Sequence, residues 1–468
     1  MASSAIVLSV LLCLLLLVAP HLGSSYHITT YTHGGWHYVV GRSSNRLPVV
    51  HRSSPCSPLG ATRKSHDKPP ADDDVFHRDA LRLRSLFHED SAKYSPAPPP
   101  SPSSDDLTIP TTGNPLGSLP GAFEYHVTVG FGTPAQNLTV GFDTATAGAT
   151  LLQCKLCAAA RASLCDKAFD PSLSFTLSQL PCGSPDCPFS SCSGASCTVA
   201  VTKNGALLGN ATFVTDTLAL SPSAFVDDFR FACLEMGITT VDHSSGILDL
   251  SRDSHSLASR VLSSPDTVAF TYCLPSSKDA EGFLSIAATR PELSGHNVSY
   301  ATLGSSAAHP ARYVVKLAGI GLGGPDLPIP PAALTGGDSL LDLHVTFTYL
   351  RPEVYAVLRD VFRSWMRGYR AAPPVGELDT CYDFTGLKFY LVPTVILELD
   401  GGARLELSLD QMMYFPDQGN FFSVGCLAFA AAPARVTAVA VIGTLVQAST
   451  EVVYDVSGGK VGFIPFIC

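Results

Sequence analysis

The first regular pattern of apolar and polar positions in the chain begins at Tyr125. The run "YHVTVGFG" alternates, turns at Gly-Thr-Pro, and resumes as "LTVGFDTATAGATLLQC" from Leu138. Alternation with a period of two is typical of a half-buried β-strand, and Gly-Thr-Pro is typical of a turn. The pattern therefore predicts successive strands, with Asp143 at the end of one of them.

A similar pattern returns in the second half of the chain. Asp342 follows "DSLL" as Asp143 follows "LTVGF", and each aspartate is followed later by a short apolar element with a glycine, "SGILDL" (245–250) and "AVAVIGT" (438–444). Such repetition indicates two related lobes. We predict that the lobes join near residues 290–312 and that Asp143 and Asp342 face each other across a cleft.

Helical spacing is limited to short segments. In "PEVYAVLRDVFRSWM" (352–366) apolar residues recur at intervals of three and four, and Gly368 follows. We expect one short helix in each lobe, with this one the clearest. A further segment, "HRDALRLRSLF" (77–87), predicts a short basic helix.

The N-terminal 120 residues differ in composition from the rest. Residues 1–24 contain an apolar run followed by small residues, which is typical of a secretory signal; the alternative is a membrane anchor, for which the run is short. Residues 25–120 hold the basic helix and the linker "SPAPPPSPSS" (95–104), and predict either a removable prosegment over an acidic cleft or a plain spacer. We favour the prosegment and expect the mature chain to start between about residue 100 and residue 125, because such linkers are exposed to proteolysis.

Composition narrows the class of protein. With 46% hydrophobic and 15% charged residues the chain is mostly globular, and 38 glycines with 35 prolines favour strands and turns over long helices. A net charge of -10 argues against a nucleic-acid partner. We expect no cofactor and no metal, and a soluble monomer once the signal is removed.

The cysteines and sequons agree with secretion. Of 14 cysteines, Cys13 lies in the signal and Cys56 in the prosegment, which leaves an even number for disulfides. The "CKLC" spacing that starts at Cys154 also suits zinc, although no well-spaced histidines are nearby. Glycosylation sequons occur at Asn137, Asn210 and Asn297.

Two strand-end aspartates suggest a carboxylate dyad. A close pair of carboxyl groups shares one proton, so the ionised member can deprotonate a water while the protonated member polarises a carbonyl. Aspartic proteases are the best-known example of this arrangement. The spacing alone is a weak signal, because aspartates at strand ends are common in turns.

Residues 125–468 resemble the pepsin-like aspartic proteases, and most closely the plant nepenthesin-type branch. The segments "YHVTVGFGTPAQNLTVGFDT", "DTLAL", "FTYCLP", "RYVVKLAGIGLGG", "LDTCYDF", "GCLAFA" and "VIGTLVQASTEVVYDVSGGKVGFIPFIC" follow in the order of that branch. The resemblance implies an all-β, bilobal fold of two β-barrel-like lobes with a few short helices. We divide it into an N-terminal lobe at 121–295, which carries a cysteine-rich insert, and a C-terminal lobe at 296–468.

The catalytic loops match the family less well. Its pattern in each lobe is Asp-Thr/Ser-Gly-Ser/Thr, in which the second residue ties the two loops together, glycine gives space, and the fourth hydroxyl orients the aspartate. Lobe one has Asp143-Thr144-Ala145-Thr146, and lobe two has Asp342-Leu343-His344-Val345. In lobe two only the carboxylate remains, so we expect Asp342 to have lost its local donors. His344 is either a new general base or a residue that fills space, and we favour the second.

Other family landmarks are also changed. The flap tyrosine should precede the turn in "VAVTKNGALL", where this chain has Val201 or Thr202, and Asp249 stands where the family usually has glycine. The resemblance also implies two disulfides in the second lobe, Cys381–Cys426 and Cys273–Cys468.

Two functions of different class are open. The chain is either a secreted aspartic endopeptidase made as a zymogen, with weak or lost activity, or a non-catalytic relative that binds a peptide or partner enzyme in the cleft. A structural cell-wall protein is a third alternative. All three imply an extracellular location in the apoplast or cell wall, with the vacuole as the alternative, and a peptide or protein as the occupant of the interlobe cleft.

Overall fold

The structure is a computed structural model, and it describes residues 28–33, 36–41, 46–54, 57–59, 72–87, 124–145, 149–154, 168–187, 192, 194–203, 206–236, 244–261, 267–289, 297–306, 309–417 and 419–468. The predicted signal (1–24), the Pro/Ser linker (95–104) and Thr146 lie outside these residues. No helix among the described residues has the length and apolar character needed to cross a membrane.

Strands dominate the described chain, as predicted. In chain order they are β1 (Ile28–His33), β2 (Trp36–Gly41), β3 (Arg46–His51), β4 (Tyr125–Phe131), β5 (Gln136–Asp143), β6 (Thr150–Gln153), β7 (Ser178–Gln179), β8 (Thr198–Lys203), β9 (Ala206–Ser221), β10 (Ala224–Met236), β11 (Gly246–Asp249), β12 (Phe270–Cys273), β13 (Gly282–Ile286), β14 (Ser299–Thr302), β15 (Gly304–Ser305), β16 (Tyr313–Val314), β17 (Leu317–Leu322), β18 (Ser339–Leu341), β19 (Thr348–Leu350), β20 (Arg370–Ala372), β21 (Cys381–Asp383), β22 (Val395–Leu399), β23 (Arg404–Glu406), β24 (Met413–Tyr414), β25 (Val424–Leu427), β26 (Phe429–Ala431), β27 (Ala440–Ile442), β28 (Thr450–Asp455) and β29 (Lys460–Pro465).

The described α-helices are fewer and short. They are α1 (Asp72–Leu86), α2 (Leu257–Val261), α3 (Pro352–Trp365), α4 (Leu409–Met412) and α5 (Thr444–Gln447), and single 3₁₀ turns occur at Pro171–Leu173, Pro331–Leu334 and Met366–Gly368. Helix α3 agrees with its apolar spacing and buries Val354, Leu358 and Phe362 on one face. The expectation of one helix per lobe is wrong for the second half, because α4 and α5, of four residues each, are too short to leave a periodic signal.

In the first half, the alternating run forms an antiparallel pair. β4 and β5 run with Val129 opposite Leu138, and the Gly-Thr-Pro segment makes the turn between them. β5 then lies parallel to β11, which places Asp143 opposite Asp249 at the ends of two buried strands. Strand β6 pairs with β11 on its other side.

The second half repeats this arrangement. β18 runs parallel to β27, with Leu341 opposite Ile442, and β19 pairs antiparallel with β27. Asp342 follows β18 directly, as Asp143 ends β5. The two aspartates therefore occupy corresponding places in two strand arrangements of the same topology.

A sheet with the order β3-β13-β12-β28-β29-β14 joins the two halves. β12 from the first half pairs with β28 from the second, and their side chains pack together, with the Phe270 and Tyr454 rings stacked 4.5 Å apart. This shared sheet fixes the position of the two aspartate loops relative to each other. The boundary between residues 295 and 296 remains a prediction.

Five disulfides are described. Cys154–Cys233, Cys182–Cys192 and Cys187–Cys197 hold the first half together. Cys273–Cys468 and Cys381–Cys426 are the two pairs that the family resemblance implied. Cys381 and Cys426 face each other across β21 and β25, so this pair links two hydrogen-bonded strands.

Candidate active site

Asp143 and Asp342 lie together at the centre of the molecule, and one arginine binds both. The Arg82 Nη2 atom donates to Asp143 Oδ1 at 2.9 Å and to Asp342 Oδ2 at 2.6 Å, and Arg82 Nε donates to Asp342 Oδ2 at 2.9 Å. The two aspartates are 0% and 1% exposed, and Arg82 is 5% exposed. The carboxylates that the strand pattern singled out thus share one buried cation.

The oppositely charged groups of this cluster shift one another's pKa values towards the charged forms. Burial alone raises the pKa of Asp143, but Arg82 and then His344 outweigh it and hold the pKa below its usual range. Burial lowers the pKa of the Arg82 guanidinium, and the two carboxylates raise it above its ordinary value. Both groups are therefore charged, and a buried ion pair with several hydrogen bonds is the arrangement in which buried charges are tolerated.

Arg82 reaches the dyad because α1 packs against the second half of the chain. Phe76 at the start of the helix stacks on Phe347 with ring centroids 4.9 Å apart, and Leu83 and Leu86 are buried in the same apolar cluster as Val345. Positions 76, 83 and 86 share one face of a helix, and that face points at the loop that follows Asp342.

A second acidic contact fixes the helix register. Asp79 is fully buried, and its carboxylate accepts from Thr346 N at 2.8 Å, from Phe347 N at 3.1 Å and from Tyr349 Oη at 3.3 Å. Burial raises the pKa of Asp79 to about 8, although the Thr346 and Phe347 N–H groups oppose the shift. Asp79 and Arg82 thus both bind the lobe-two loop, Asp79 through main-chain N–H groups after His344 and Arg82 through the Asp342 carboxylate.

The basic segment also contacts the first half. Arg78 forms an ion pair with Glu124, just before β4. Burial raises the pKa of the Glu124 carboxyl, but Arg78 and other nearby cations outweigh burial and hold this pKa below its ordinary value. Strand β3, upstream of α1, lies between β13 and β4 in the sheet and buries Leu47 and Val49. The described part of residues 25–120 is therefore attached to both halves by a strand and a helix.

The lobe-one loop keeps its polar character. Ala145 N donates to Asp143 Oδ1 at 2.9 Å. The Thr144 side chain is buried and hydrogen-bonded to Tyr454 on β28, across the shared sheet. The hydroxyl at the second position of the motif, that of Thr144, therefore makes a contact between the two halves. Thr146, at the fourth position, lies outside the described residues.

The lobe-two loop is apolar. Leu343 and Val345 are 2% and 0% exposed and belong to two different apolar clusters. The expectation that Asp342 has lost its local donors is wrong for the main chain, because His344 N and Val345 N donate to Asp342 Oδ1 at 2.9 and 2.8 Å. The loop therefore lacks only the side-chain hydroxyls of the family motif. Its main-chain donors to Asp342 are present without them.

His344 points across the dyad. Its Nε2 atom lies 3.4 Å from Asp143 Oδ2, which is an ion-pair distance rather than an ordinary hydrogen-bond distance. The imidazole is 7% exposed. A residue in lobe two thus contacts the carboxylate of lobe one at the oxygen that Arg82 leaves open.

A second asymmetry lies behind the aspartates. Gly443 in lobe two could not carry a side chain, because a Cβ there would come within 2.3 Å of the Phe347 carbonyl oxygen. The corresponding Asp249 in lobe one is fully buried, and its Oδ1 accepts from Ser251 N at 2.8 Å. The first lobe has accommodated a carboxylate at a position where the second needs glycine.

The remaining predicted residues are the flap positions, the sequons and the cysteines that suggested zinc. Val201 and Thr202 are in β8, at a register shift against β9, and their side chains are outside the described set. Asn137, Asn210 and Asn297 are all exposed. The sulfurs of Cys187, Cys192 and Cys197 lie within 4.8 Å of one another, but each is in a disulfide and so is not a thiolate ligand.

The sequence missed the two residues that close the site. It predicted a basic helix at 77–87, but three arginines in that segment look alike in a linear pattern, and only packing selects Arg82. Asp79 carries no signal of its own, because an acidic residue inside a basic helix is usually a surface partner. The helix also begins five residues earlier than predicted, at the run Asp72–Asp74, and acidic residues are favourable in the first turn.

Comparison with known proteins matches both halves. A family model described as "Xylanase inhibitor N-terminal" matches residues 125–286, and one described as "Xylanase inhibitor C-terminal" matches residues 312–465. The chain is 30% identical to "Aspartyl protease AED1" of Arabidopsis thaliana over 441 residues, which is 92% of this chain and 88% of that protein. It is 27% identical to "Aspartic proteinase nepenthesin-2" of Nepenthes gracilis over 363 residues, or 74% of this chain and 78% of that protein.

Solved structures agree on the fold. Basic 7S globulin from soybean superposes with a TM-score of 0.55 at 18% identity, over 73% of this chain and 91% of that one. The structure titled "edgp" superposes with a TM-score of 0.54 at 16% identity, over 79% and 97%. The likeness in sequence over nearly the whole length and the bilobal β-fold together show that the chain belongs to the pepsin-like aspartic protease family, in its plant nepenthesin-type branch.

Proposed function

We propose that the chain is the precursor of a secreted aspartic-protease-like protein whose mature form binds extended peptides in the cleft and hydrolyses them weakly or not at all. The observation that carries the proposal is the dyad itself. Asp143 and Asp342 are both present and bind one arginine, while the second loop of the site is apolar and presents His344 to Asp143.

The family chemistry needs one carboxylate ionised and one protonated. The ionised carboxylate takes a proton from a water held between the two groups, and the protonated one polarises the scissile carbonyl of the peptide. With Arg82 in place, its guanidinium donates to both carboxylates and holds the pKa of Asp143 below its usual range, which favours the ionised form of that carboxylate. The described form therefore corresponds to a closed precursor, and peptide access requires α1 to leave.

Departure of the N-terminal segment costs free energy, because it breaks strand pairing. β3 lies inside the shared sheet, so its loss leaves the edges of β13 and β4 unpaired. Sequencing of the secreted protein should nonetheless give a mature N-terminus between about residue 100 and residue 125, in the linker region that is exposed to proteolysis. A mature terminus near residue 25 would contradict the prosegment.

Weak hydrolysis follows from the second loop. His344 Nε2 lies 3.4 Å from Asp143 Oδ2, and a cationic imidazole at that distance lowers the pKa of Asp143 and so favours its ionised form. No hydroxyl on Leu343 or Val345 orients Asp342. The proton that the dyad should share is therefore held less well between the two groups, and misplaced catalytic groups lower the rate by orders of magnitude.

The alternative is a binding protein without catalysis. Burial of Leu343 and Val345 favours it, because these side chains serve the apolar core rather than the cleft. Both functions use the same cleft and the same class of occupant, an extended peptide or a loop of a partner enzyme. Both also need passage through the secretory pathway, which the predicted signal and the paired cysteines support.

An assay of the mature protein separates the two. The purified chain without residues 1–120 is incubated with a denatured protein at acid pH, with and without a pepstatin-type inhibitor, and binding of the same inhibitor is measured by calorimetry. Slow cleavage that the inhibitor stops supports the weak enzyme. Inhibitor binding without cleavage supports the binding protein, and absence of both would contradict the proposed role of the cleft.

A further inference from the structure

A groove in the second half of the chain is lined by exposed apolar side chains. It encloses about 1050 Å³, and we call it the aromatic groove. Its exposed members are Phe389, Leu391, Phe421, Phe422 and Phe466, of which Phe389, Leu391 and Phe466 are more than 70% exposed. Neither Asp143 nor Asp342 lines it, so it is separate from the active site.

The groove is rigid rather than a frayed surface. Phe384 and Tyr390 stack 4.0 Å apart, Tyr390 meets Phe422 edge to face at 5.4 Å, and Tyr390 Oη donates to the Phe421 carbonyl at 2.7 Å. Beneath the rings lie buried Leu405 and Phe463. An exposed apolar patch built on a fixed frame marks a surface that something covers.

The rim of the groove is polar and carries one special residue. Lys388, Arg404, Glu406 and Ser408 supply donors and acceptors, and Asn297 is exposed at the same rim. Asn297-Val298-Ser299 is a glycosylation sequon. A sugar attached to Asn297 would therefore begin at the edge of the aromatic groove.

We propose that Asn297 carries an N-linked glycan and that the first sugars of this glycan lie in the aromatic groove. The inference rests on the proposed passage through the secretory pathway. Attachment joins the Asn297 Nδ2 atom to C1 of the first N-acetylglucosamine of a polyprenyl-diphosphate-linked oligosaccharide. The bond from C1 to the diphosphate oxygen breaks, the diphosphate leaves with the electron pair, and Nδ2 loses one proton.

The chemistry of a sugar suits this groove. One face of a pyranose ring presents C–H groups, which pack on the negative face of an aromatic ring, while the hydroxyls at its edge meet polar groups such as those of Lys388, Arg404 and Glu406. The covalent link at the rim also raises the effective concentration of the sugar at the groove, so weak stacking is enough to hold it there. The same tether distinguishes this occupant from a free ligand or a second copy of the chain.

The other two sequons lie on different strands from the aromatic groove. Asn210 in β9 lies opposite Ala200 and Glu235, and Asn137 in β5 lies opposite Gly130. Neither lines the aromatic groove. Both are exposed and outside the aromatic groove, so Asn210 is a matched control within the same molecule.

The first test is occupancy. The full chain is produced in a eukaryotic secretory host and its glycopeptides are analysed by mass spectrometry. We expect a glycan at Asn297 in the wild type and in Ser299→Thr, and none in Ser299→Ala, which removes the hydroxyl that the sequon needs and with it the acceptor of Arg404 N. A secreted protein modified at Asn210 but bare at Asn297 would overturn the inference and leave the proposed secretion standing. Retention of the chain inside the cell would overturn the proposed secretion, and the inference with it.

The second test is packing. We expect a peptide N-glycosidase to release the Asn297 glycan from native protein about tenfold more slowly than the Asn210 glycan, which corresponds to roughly 1.4 kcal/mol of protection. Denaturation should abolish the difference. Phe389→Ser combined with Leu391→Ser should bring the native rates within about twofold without unfolding, because both side chains are exposed.

A dye measurement separates the sugar from other occupants. Ser299→Ala should bind 8-anilinonaphthalene-1-sulfonate more strongly than Ser299→Thr, because the groove is then uncovered. Equal dye binding by the two variants, or equal native release rates at Asn297 and Asn210, would show that the sugar does not cover the groove. Dimerisation of the glycosylated wild type through this face would likewise overturn the proposal in favour of a second copy.

Discussion

The described parts of the two aspartate loops share a main-chain hydrogen bond and differ in their side chains. In each, the third residue donates its N–H to Oδ1 of the aspartate at 2.9 Å, from Ala145 in lobe one and from His344 in lobe two. In lobe one the second residue is a threonine hydrogen-bonded to Tyr454, whereas in lobe two it is Leu343, packed in the core.

The fold of this site is therefore separable from its chemistry. The main-chain turn depends on strand topology and on main-chain donors, and both lobes keep the parallel strand pair and the N–H donor at the third position. The hydroxyls that orient a catalytic carboxylate contribute little to the fold, so their loss in lobe two leaves the turn in place. Helix α1 contacts both loops, but unequally. Arg82 binds both aspartates, while Asp79 binds only the loop of lobe two.

The largest effect should come from the residue that joins the two loops. Arg82→Ala leaves two buried carboxylates without their cation, which should weaken docking of α1 by about 3–5 kcal/mol. Hydrogen exchange of residues 72–87 in the precursor should rise accordingly. Arg84→Ala on the same helix is the control and should change exchange little, because Arg84 is only half-buried and does not bind the dyad. Equal effects of the two changes would show that the Arg82 contacts do not hold the helix.

The second residues of the two loops should differ in what they stabilise. Leu343→Ala should lower the free energy of unfolding by about 2–5 kcal/mol, because it opens a cavity in a packed cluster. Thr144→Val should lower it by about 0.5–1.5 kcal/mol, the net value of one hydrogen bond. Chemical denaturation of the mature protein measures both. A larger loss for Thr144→Val than for Leu343→Ala would contradict the assignment of one polar and one apolar loop.

Behind the loops, the asymmetry lies at Gly443. A methyl group there meets the Phe347 and Thr346 carbonyl oxygens at 2.3 and 2.5 Å, so Gly443→Ala should cost about 1–3 kcal/mol of stability through overpacking. Gly368→Ala is the control, because a Cβ there has open space and the backbone is not left-handed. Equal melting temperatures for the two variants would show that the lobe-two loop yields more easily than its contacts imply.

The smallest expected effect is the pH dependence of α1 docking, in which Asp79 and Asp143 act in opposite directions. Burial raises the pKa of Asp79 to about 8, so its contribution to docking is full below the ordinary value of about 3.9 and is lost as pH rises towards 8. The pKa of Asp143 is lowered in spite of burial, by Arg82 and His344, so its contribution is present above about 3.9 and is lost as pH falls through the folded value.

Protection of residues 72–87 should therefore decline on both sides of an intermediate pH, after correction for intrinsic exchange. Asp79→Asn should remove the decline on the alkaline side and keep that on the acid side. A flat profile in the wild type, or loss of the acid limb in Asp79→Asn, would contradict these assignments.

Much of this fold could be predicted from the sequence, because the patterns that form its strands and its main helix lie within short segments of the chain. Alternation at 125–132 and apolar spacing at 352–366 are signals that each strand or helix carries by itself. The placement of Asp143 near Asp342 followed from the repeated strand pattern and from family resemblance. Four-residue α4 and α5 were missed because they are too short for periodicity, and the one helix expected in the first half was not located because five-residue α2 is also too short.

The contacts of the site were beyond such reasoning. The choice of Arg82 among the arginines of α1, the acceptance of main-chain N–H groups by Asp79, and the approach of His344 to Asp143 all depend on how a helix of the N-terminal segment packs on a distant loop. The main-chain donors of Asp342 were missed for a related reason, since a side-chain motif does not report where the backbone N–H groups point.

The most direct test of the account is the activity of the mature protein with its lobe-two loop restored. Cleavage of a denatured protein at acid pH is compared among four proteins: wild type, Asp342→Asn, Leu343→Ser/His344→Gly/Val345→Thr, and the same triple variant with Asp342→Asn. We predict little or no cleavage by wild type and a gain of roughly tenfold or more in the triple variant, since the three positions act as a unit. Asp342→Asn should abolish that gain. Clear wild-type cleavage that Asp342→Asn removes, with no gain from the restored loop, would contradict the account.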